Sequence, residues 1–324
     1  MKIRTAAILV AGQLFWGGLQ VLDARAAEGS FDRTLKVTGP VDLEVTTGSG
    51  RIQVRTGGDG VVQVHGFIRA HEGLWGDASE KVRYLQDNPP IEQTGNVIRI
   101  GRIDDMRYRQ NVSISYELIV PAETRLQSKT GSGSQTIEGV RGSVTASSGS
   151  GHLTLSEIGG MVRAHTGSGG INLDGAQGSV DLSTGSGSIR ALQVAGGIRA
   201  DTGSGDVTLA QSAPGDVDVQ TGSGGIEVSG IRGSFRARTG SGHITAAGTP
   251  SGEWNAHAAS GGITVTLEST SGFELYAHTS SGRVTVNHPV TVQGSFSTKE
   301  IRGRVRNGGP MLELRTGSGN IVVQ

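Results

Sequence analysis

The chain has 324 residues, with 29 Lys and Arg balancing 29 Asp and Glu, no Cys and 54 Gly. Aromatic residues make up 4%, which excludes a core built on Phe, Tyr and Trp; Gly does not recur at every third position and Pro totals 8, which excludes collagen. Zero net charge removes any overall attraction to nucleic acid or anionic membrane, and zero Cys removes disulfides, zinc–thiolate sites, Fe–S clusters and a lipidated N-terminal cysteine. Val, Ile and Leu alternate with polar residues through most of the length, a β pattern rather than that of a disordered chain.

Residues 1–26 read as a secretory signal. Lys2 and Arg4 give a positive start, Thr5 to Leu22 carries no charge and includes the run Ala6-Ala7-Ile8-Leu9-Val10, and Ala24-Arg25-Ala26 places small residues where a signal peptidase reads. The alternative is an uncleaved anchor, against which Gln13 and Gln20 dilute the segment. No other stretch is apolar and long enough to span a bilayer. The mature chain is expected to start near Ala27 and to work in the periplasm, on the outer surface or in the medium.

Residues 31–70 contain short alternating strands, among them Val41-Asp42-Leu43-Glu44-Val45 and Arg51-Ile52-Gln53-Val54, separated by Gly-rich turns. A helical insertion, about 71–111, breaks this pattern. Asp77 to Leu85 is predicted as one short helix with Asp77 as its N-cap and Pro89-Pro90 beyond its end. Val97-Ile98-Arg99-Ile100 and the run from Val112 to Val120 are further strands. The whole segment 27–129 is expected to cap the first coil of a solenoid, because an uncovered end would be an open sheet edge.

From residue 130 onward an internal repeat sets the architecture. Thr-Gly-Ser-Gly starts at Thr130, recurs as Ser148-Gly149-Ser150-Gly151, and starts again at Thr166, Thr184, Thr202, Thr221 and Thr239, at spacings of 18, 18, 18, 18, 19 and 18. Weaker copies start at Ala258 and Thr279, a degenerate one at Thr298 and a clean one at Thr316; one earlier copy stands at Thr47. Counting the Thr as position one, positions six and eight are apolar (Ile171 and Leu173), a Gly falls near thirteen (Gly178), and fifteen and seventeen are apolar or small (Val180 and Leu182). Period two within each run means two short strands per unit, with glycines at the corners, where φ > 0 was the expected reason for them. One unit cannot bury its apolar side alone, so the units must stack. The predicted fold is all-β: a parallel β-solenoid (β-helix) of ~18-residue coils over 130–324, preceded by the irregular part with its one helix. Antiparallel hairpins would not need like residues in like places, and a propeller would need a period of ~40. Position sixteen reads Arg163, Asp181, Arg199, Asp218, Arg236, an alternation that balances charge between stacked coils.

These features resemble the bacterial putative-adhesin family, β-strand-repeat proteins of unknown function with Gly-Ser-Gly repeats. The resemblance rests on Val41-Asp42-Leu43-Glu44-Val45 followed by Thr47-Gly48-Ser49-Gly50, on Tyr116-Glu117-Leu118-Ile119-Val120-Pro121, and on the iterated Gly-Ser-Gly-x-Ile; it covers roughly residues 31–324. It implies an exported β-solenoid and carries no catalytic residues with it.

The residues themselves offer no chemistry stronger than a structural role. Eight His are scattered without metal-ligand spacing; His257 and His278 share a position in units adjacent in sequence and read as a solvated pair. Asp201, Asp206, Asp216 and Asp218 cluster in sequence but are expected on different sides of the coil, and the tandem calcium repeat is absent. Acidic residues sit singly, without the facing carboxylates of glycan-cleaving β-helices. The Thr-rich position seven (Thr136, Thr154, Thr208, Thr245, Thr264, Thr285) is interrupted by Asn172, Arg190 and Glu227, against a flat ice-binding array. Trp75 and Trp254 are the indoles available for stacking on sugars, with Trp254 at an inward position. The expectation is therefore an exported non-enzymatic protein, adhesive or structural, with no catalytic, cofactor or metal residues. Its expected partners are a surface polysaccharide or a protein. Two alternatives stand beside it: a carbohydrate-binding or polysaccharide-active protein with a site in 66–115, and a scaffold polymerising end to end. The second draws on the chain end, where Asn320 to Gln324 would leave an unprotected strand able to self-associate through the C-terminal edge.

Overall fold

The computed structural model describes residues 26–72, 77–292 and 297–324. The signal reading therefore lies outside the described residues except for Ala26, and so does Trp75. The described residues form two sheets, of 14 and 15 strands, and the fold is a parallel β-solenoid. Each unit gives one strand to each sheet, in a register that shifts only at bulges after Ala191 and Val228 among the paired repeat strands. In the first sheet Leu153, Ile171, Ile189, Val207, Ile226, Ile244 and Ile263 are successive partners. In the second, Val144, Val162, Val180, Ile198, Val217, Phe235 and Trp254 are. All of these are buried, and side chains alternate in and out along every strand. The core is thus a column of small and branched residues between two sheets, filled by aromatics only near the ends. Trp254 is one of them, packed edge-on to Phe235 at 5.4 Å with its Nε1 donating to the Gly233 carbonyl.

The corners show what Thr-Gly-Ser-Gly does. The threonine points inward and its hydroxyl joins two coils. Thr184 Oγ1 donates to the Gly169 carbonyl of the preceding coil at 2.8 Å and accepts from the Gly187 amide of its own at 3.2 Å. Thr166, Thr202, Thr221 and Thr239 repeat the bond to the coil before. The last glycine of the motif is demanded by proximity. A Cβ on Gly169 would lie 2.0 Å from the Gly151 carbonyl oxygen. The expected positive φ holds at some corners and not at others: Gly224 and Gly242, at +153° and +157°, have it, whereas Gly133, Gly151, Gly169, Gly187 and Gly205 do not, so at those the close approach alone requires glycine.

At the N-terminal end, helix Ala78–Asp87 forms where expected, with the Asp77 carboxylate accepting from the Ser79 amide at 2.8 Å. It lays Ala78, Val82 and Leu85 over strands Ala26–Lys36 and Val61–His71. A second short helix, Met106–Arg109, was not anticipated; its four residues carry no buried side chain, so no periodic signal marks it. Strands Val97–Ile100 and Val112–Val120 form one further coil outside strands Val41–Thr47 and Ile52–Thr56, which lie directly on the coil at Thr130.

The C-terminal end departs from chain order. Strand Met311–Ser318 lies between Trp254–Ser260 and Phe273–Ser281, and Ile321–Val323 lies between Ile263–Leu267 and Val284–Val286. The corner hydroxyls follow the same order: Thr316 Oγ1 donates to the Gly261 carbonyl and Thr279 Oγ1 to that of Gly319. The last strand is therefore not an open edge. It is paired on both sides with Ile321 and Val323 fully buried, which removes the basis for self-association through it. Sequence could not show this because the units at Ala258, Thr279 and Thr316 carry the same inward pattern and fit one another in either order. Nor does Thr298 start a coil: Glu300–Val305 runs antiparallel to both Phe273–Ser281 and Val290–Val292.

Two outcomes test this arrangement. Thr264 is the register partner of Val322, which is in turn the partner of Thr285. In a chain with no native cysteine, T264C with V322C should crosslink on oxidation. T264C with T285C, two coils and ~10 Å apart, should not; a crosslink in that second pair alone would restore sequential stacking. Ala258 stands where its register partners Thr239 and Thr316 each carry a hydroxyl. Ala258→Thr should supply the missing bond to the coil before and raise stability by ~0.5–1.5 kcal/mol in urea unfolding.

Candidate functional site

The outward side of the second sheet carries the charged row. Arg163, Asp181, Arg199, Asp218 and Arg236 are successive register partners. Arg163 Nε lies 3.4 Å from Asp181 Oδ2, while Arg199 turns along its own strand to Asp201 at 3.2 Å. The hydrogen bond to Asp201, and then the charges of Asp201, Asp218 and Asp181, push the Arg199 pKa further above its usual value, so it is a fixed cation. Beside this row the preceding outward position is small at three of six coils, Ser179, Gly197 and Ser234. Long side chains next to short ones leave a groove of ≈ 700 Å³. It is lined from Met161 and Arg163 in the first coil to Glu253 and Asn255 in the sixth, so it crosses strands and runs along the solenoid axis.

Other sequence candidates fall as follows. Asp201 and Asp218 share the outer face of the second sheet, contrary to expectation; Asp206 sits at one corner, accepting from the Gly225 amide at 2.8 Å, and Asp216 at the other, accepting from the Ser234 amide at 2.8 Å. The 19-residue unit that contains Asp218 keeps the inward register, which puts Asp201 and Asp218 on one sheet face. Among the described residues no group of three or more His, Asp or Glu is placed to hold a metal. His257 and His278 are not neighbours, because Arg315 of the inserted coil stands between them. The Thr-rich row on the first sheet is interrupted by Asn172, Arg190 and Glu227 and, through the inserted coil, by Val322. Trp254 is buried and offers no stacking platform.

The 66–115 segment does contribute to a cavity, of ≈ 540 Å³, where residues 101–111 replace the usual four-residue corner. Its carboxylates are each held by an arginine, Asp104 by Arg102 at 3.0 Å and Glu44 by Arg99 at 3.5 Å. Tyr116 lies at its base, where burial pushes the phenol pKa up and keeps it neutral. That set supplies neither a free carboxylate pair nor an activated nucleophile. No helix among the described residues is long and apolar enough to cross a membrane. Sequence reading found the charged row but missed the groove, whose signal was the run of small residues two positions ahead of it.

A regular stack of corner-stapled coils with a polar outer groove defines a β-solenoid repeat protein. Residues 176–324 match the family described as Toastrack DUF4097. Two solved structures are also similar. One is described as a "putative cell adhesion protein" from Clostridium sporogenes, 11% identical over 92% of this chain and 99% of that one, with a TM-score of 0.23. The other is a "putative adhesin" from Bacteroides fragilis, 13% identical over 91% and 97%, with a TM-score of 0.29. No curated protein matches.

The groove wall should be dispensable for folding, because exposed ion pairs contribute little to stability. Arg199→Ala is expected to leave the midpoint of thermal unfolding unchanged, whereas Thr202→Val, which deprives the Gly187 carbonyl of its buried donor, should lower it. A large loss from Arg199→Ala would make the row structural.

Proposed function

We propose that the mature protein is an exported, non-enzymatic adhesive element of the cell surface or periplasm. On this reading residues 1–26 are the export signal, 27–129 the capping segment and 130–324 the array that presents the recognition face. The observation that carries the reading is the groove: it spans six coils instead of closing around one reactive centre, so binding is spread over repeated positions. The groove-lining residues of five of those six coils fall within residues 176–324, the part that matches Toastrack DUF4097. A site in 66–115 is the second reading, and the internally ion-paired cavity there weighs against catalysis.

The test has two parts. N-terminal sequencing of the exported protein should find a start near Ala27. Beads coated with residues 27–324 should bind whole cells or their surface extract. A double variant of the second sheet's outer face, Arg163→Glu with Arg199→Glu, should bind less than a tenth as well, while Thr154→Glu with Thr208→Glu on the first sheet should bind as the parent does. Equal loss from both would refute a face-specific adhesive role.

A further inference from the structure

We propose that the groove on the second sheet reads an uncharged linear polysaccharide laid along the solenoid axis, one sugar per coil. The inference rests on the adhesive reading above and names its ligand class.

Direction comes first. The groove crosses parallel strands, so whatever fills it meets chemically similar positions again and again and must itself repeat. Coils stack at ~4.8 Å, close to the length of one sugar in an extended glycan. An extended polypeptide advances ~3.3 Å per residue and places like-facing side chains ~6.6 Å apart, which falls out of step with the coils within two repeats.

Charge then separates glycans. Arg163, Arg199 and Arg236 alternate along the wall with Asp181 and Asp218, and Asp216 and Glu253 also line the groove, three cations against four carboxylates. A polyanion or a polycation would meet a like charge at every second coil. A hydroxyl both donates and accepts, so it can pair with a guanidinium at one coil and a carboxylate at the next. The floor fits the same occupant. Ser179 and Ser234 add hydroxyls, and Gly197 leaves room for a ring to approach the backbone. No aromatic side chain is exposed in the groove, since Phe235, the one ring that lines it, is buried. Each sugar would thus be held weakly by hydrogen bonds, and useful affinity would come from the number of coils engaged at once.

The experiment titrates residues 27–324 with β-1,4-linked gluco- and manno-oligosaccharides of two to eight units and, in parallel, with oligogalacturonates of the same lengths. At least one uncharged series should tighten with each added sugar up to about six units, the number of coils that line the groove, and then level off. The uronates should bind at least tenfold more weakly. Gly197→Leu and Ser234→Leu, outward substitutions that fill the floor, should abolish binding with the thermal transition intact; if either fails to fold, Asp218→Asn with Arg236→Gln replaces it and should weaken binding at least tenfold. Affinity independent of length, preference for the uronates, or full binding by the floor variants would overturn the proposal. Cell adhesion that disappears in the floor variants while neither uncharged series binds would also overturn it, leaving the adhesive reading in place with a protein as ligand. Absence of any adhesion would instead remove the reading on which it rests.

Discussion

A threonine hydroxyl turned into the core at a chain corner has to find an acceptor there, and in this protein it finds the carbonyl of the coil beneath. That bond, repeated from Thr130 through Thr316 wherever the corner residue carries a hydroxyl, ties neighbouring coils at the point where the backbone turns, beside backbone bonds such as Gly167 N–H to the Ser148 carbonyl. It also requires the corners to stack closely. Gly187, for example, sits so near the Gly169 carbonyl that a Cβ would come within 2.0 Å of it. The high glycine content, the absence of disulfides and the modest side chains of the core are parts of one solution. Stability is distributed as many equal contacts between neighbouring coils, and no single layer needs large aromatic residues.

The same uniformity creates a problem at the ends, where a repeating stack offers its last strands to any other strand. Both ends are dealt with by breaking the chain order. At the N-terminal end, strands Val97–Ile100 and Val112–Val120 return to lie outside the first Thr-Gly-Ser-Gly coil, and antiparallel strands and a helix close over them. At the C-terminal end the final coil is drawn inward and the hairpin of Val290–Val292 and Glu300–Val305 covers one edge of what lies outside it. Free edges invite association, and strand Ile321–Val323, paired on both sides, offers none.

How far this could be read from residues follows from what each feature depends on. Inward and outward positions are local consequences of period two, so the burial of Ile171, Val180 and Trp254 was legible, as were the cap at Asp77 and the alternating charges from Arg163 to Arg236. The order of coils is a competition between nearly identical surfaces. Leu312 presents the same inward apolar face to Trp254 and to Leu275, and nothing in the spacing says that it meets both. The corner hydroxyl bond was hidden for another reason: Thr-Gly-Ser-Gly reads as turn chemistry, and its threonine looks like a solvent-facing residue until the stacking geometry turns it inward. The groove was hidden because depth is a relation between two rows, small Ser179 and Gly197 beside long Asp181 and Arg199, and each row alone looks like ordinary surface.

The two sets of residues stand under different constraints. Corner Thr and Gly are held by distances of a few ångströms to backbone atoms of the next coil, and little can replace them. The residues of the outer row contact solvent and one another through exposed ion pairs, and their replacement is expected to leave the stack intact. A scaffold of this kind keeps its pitch while its faces change freely, and the pitch is what a repeating ligand senses. Selection on such a surface would act on the pattern of donors and acceptors along the axis, coil by coil, with the spacing between them already set by the backbone. The groove from Arg163 to Asn255 has the form expected of that division: a ruler fixed by the corners, carrying marks in side chains that the fold does not need.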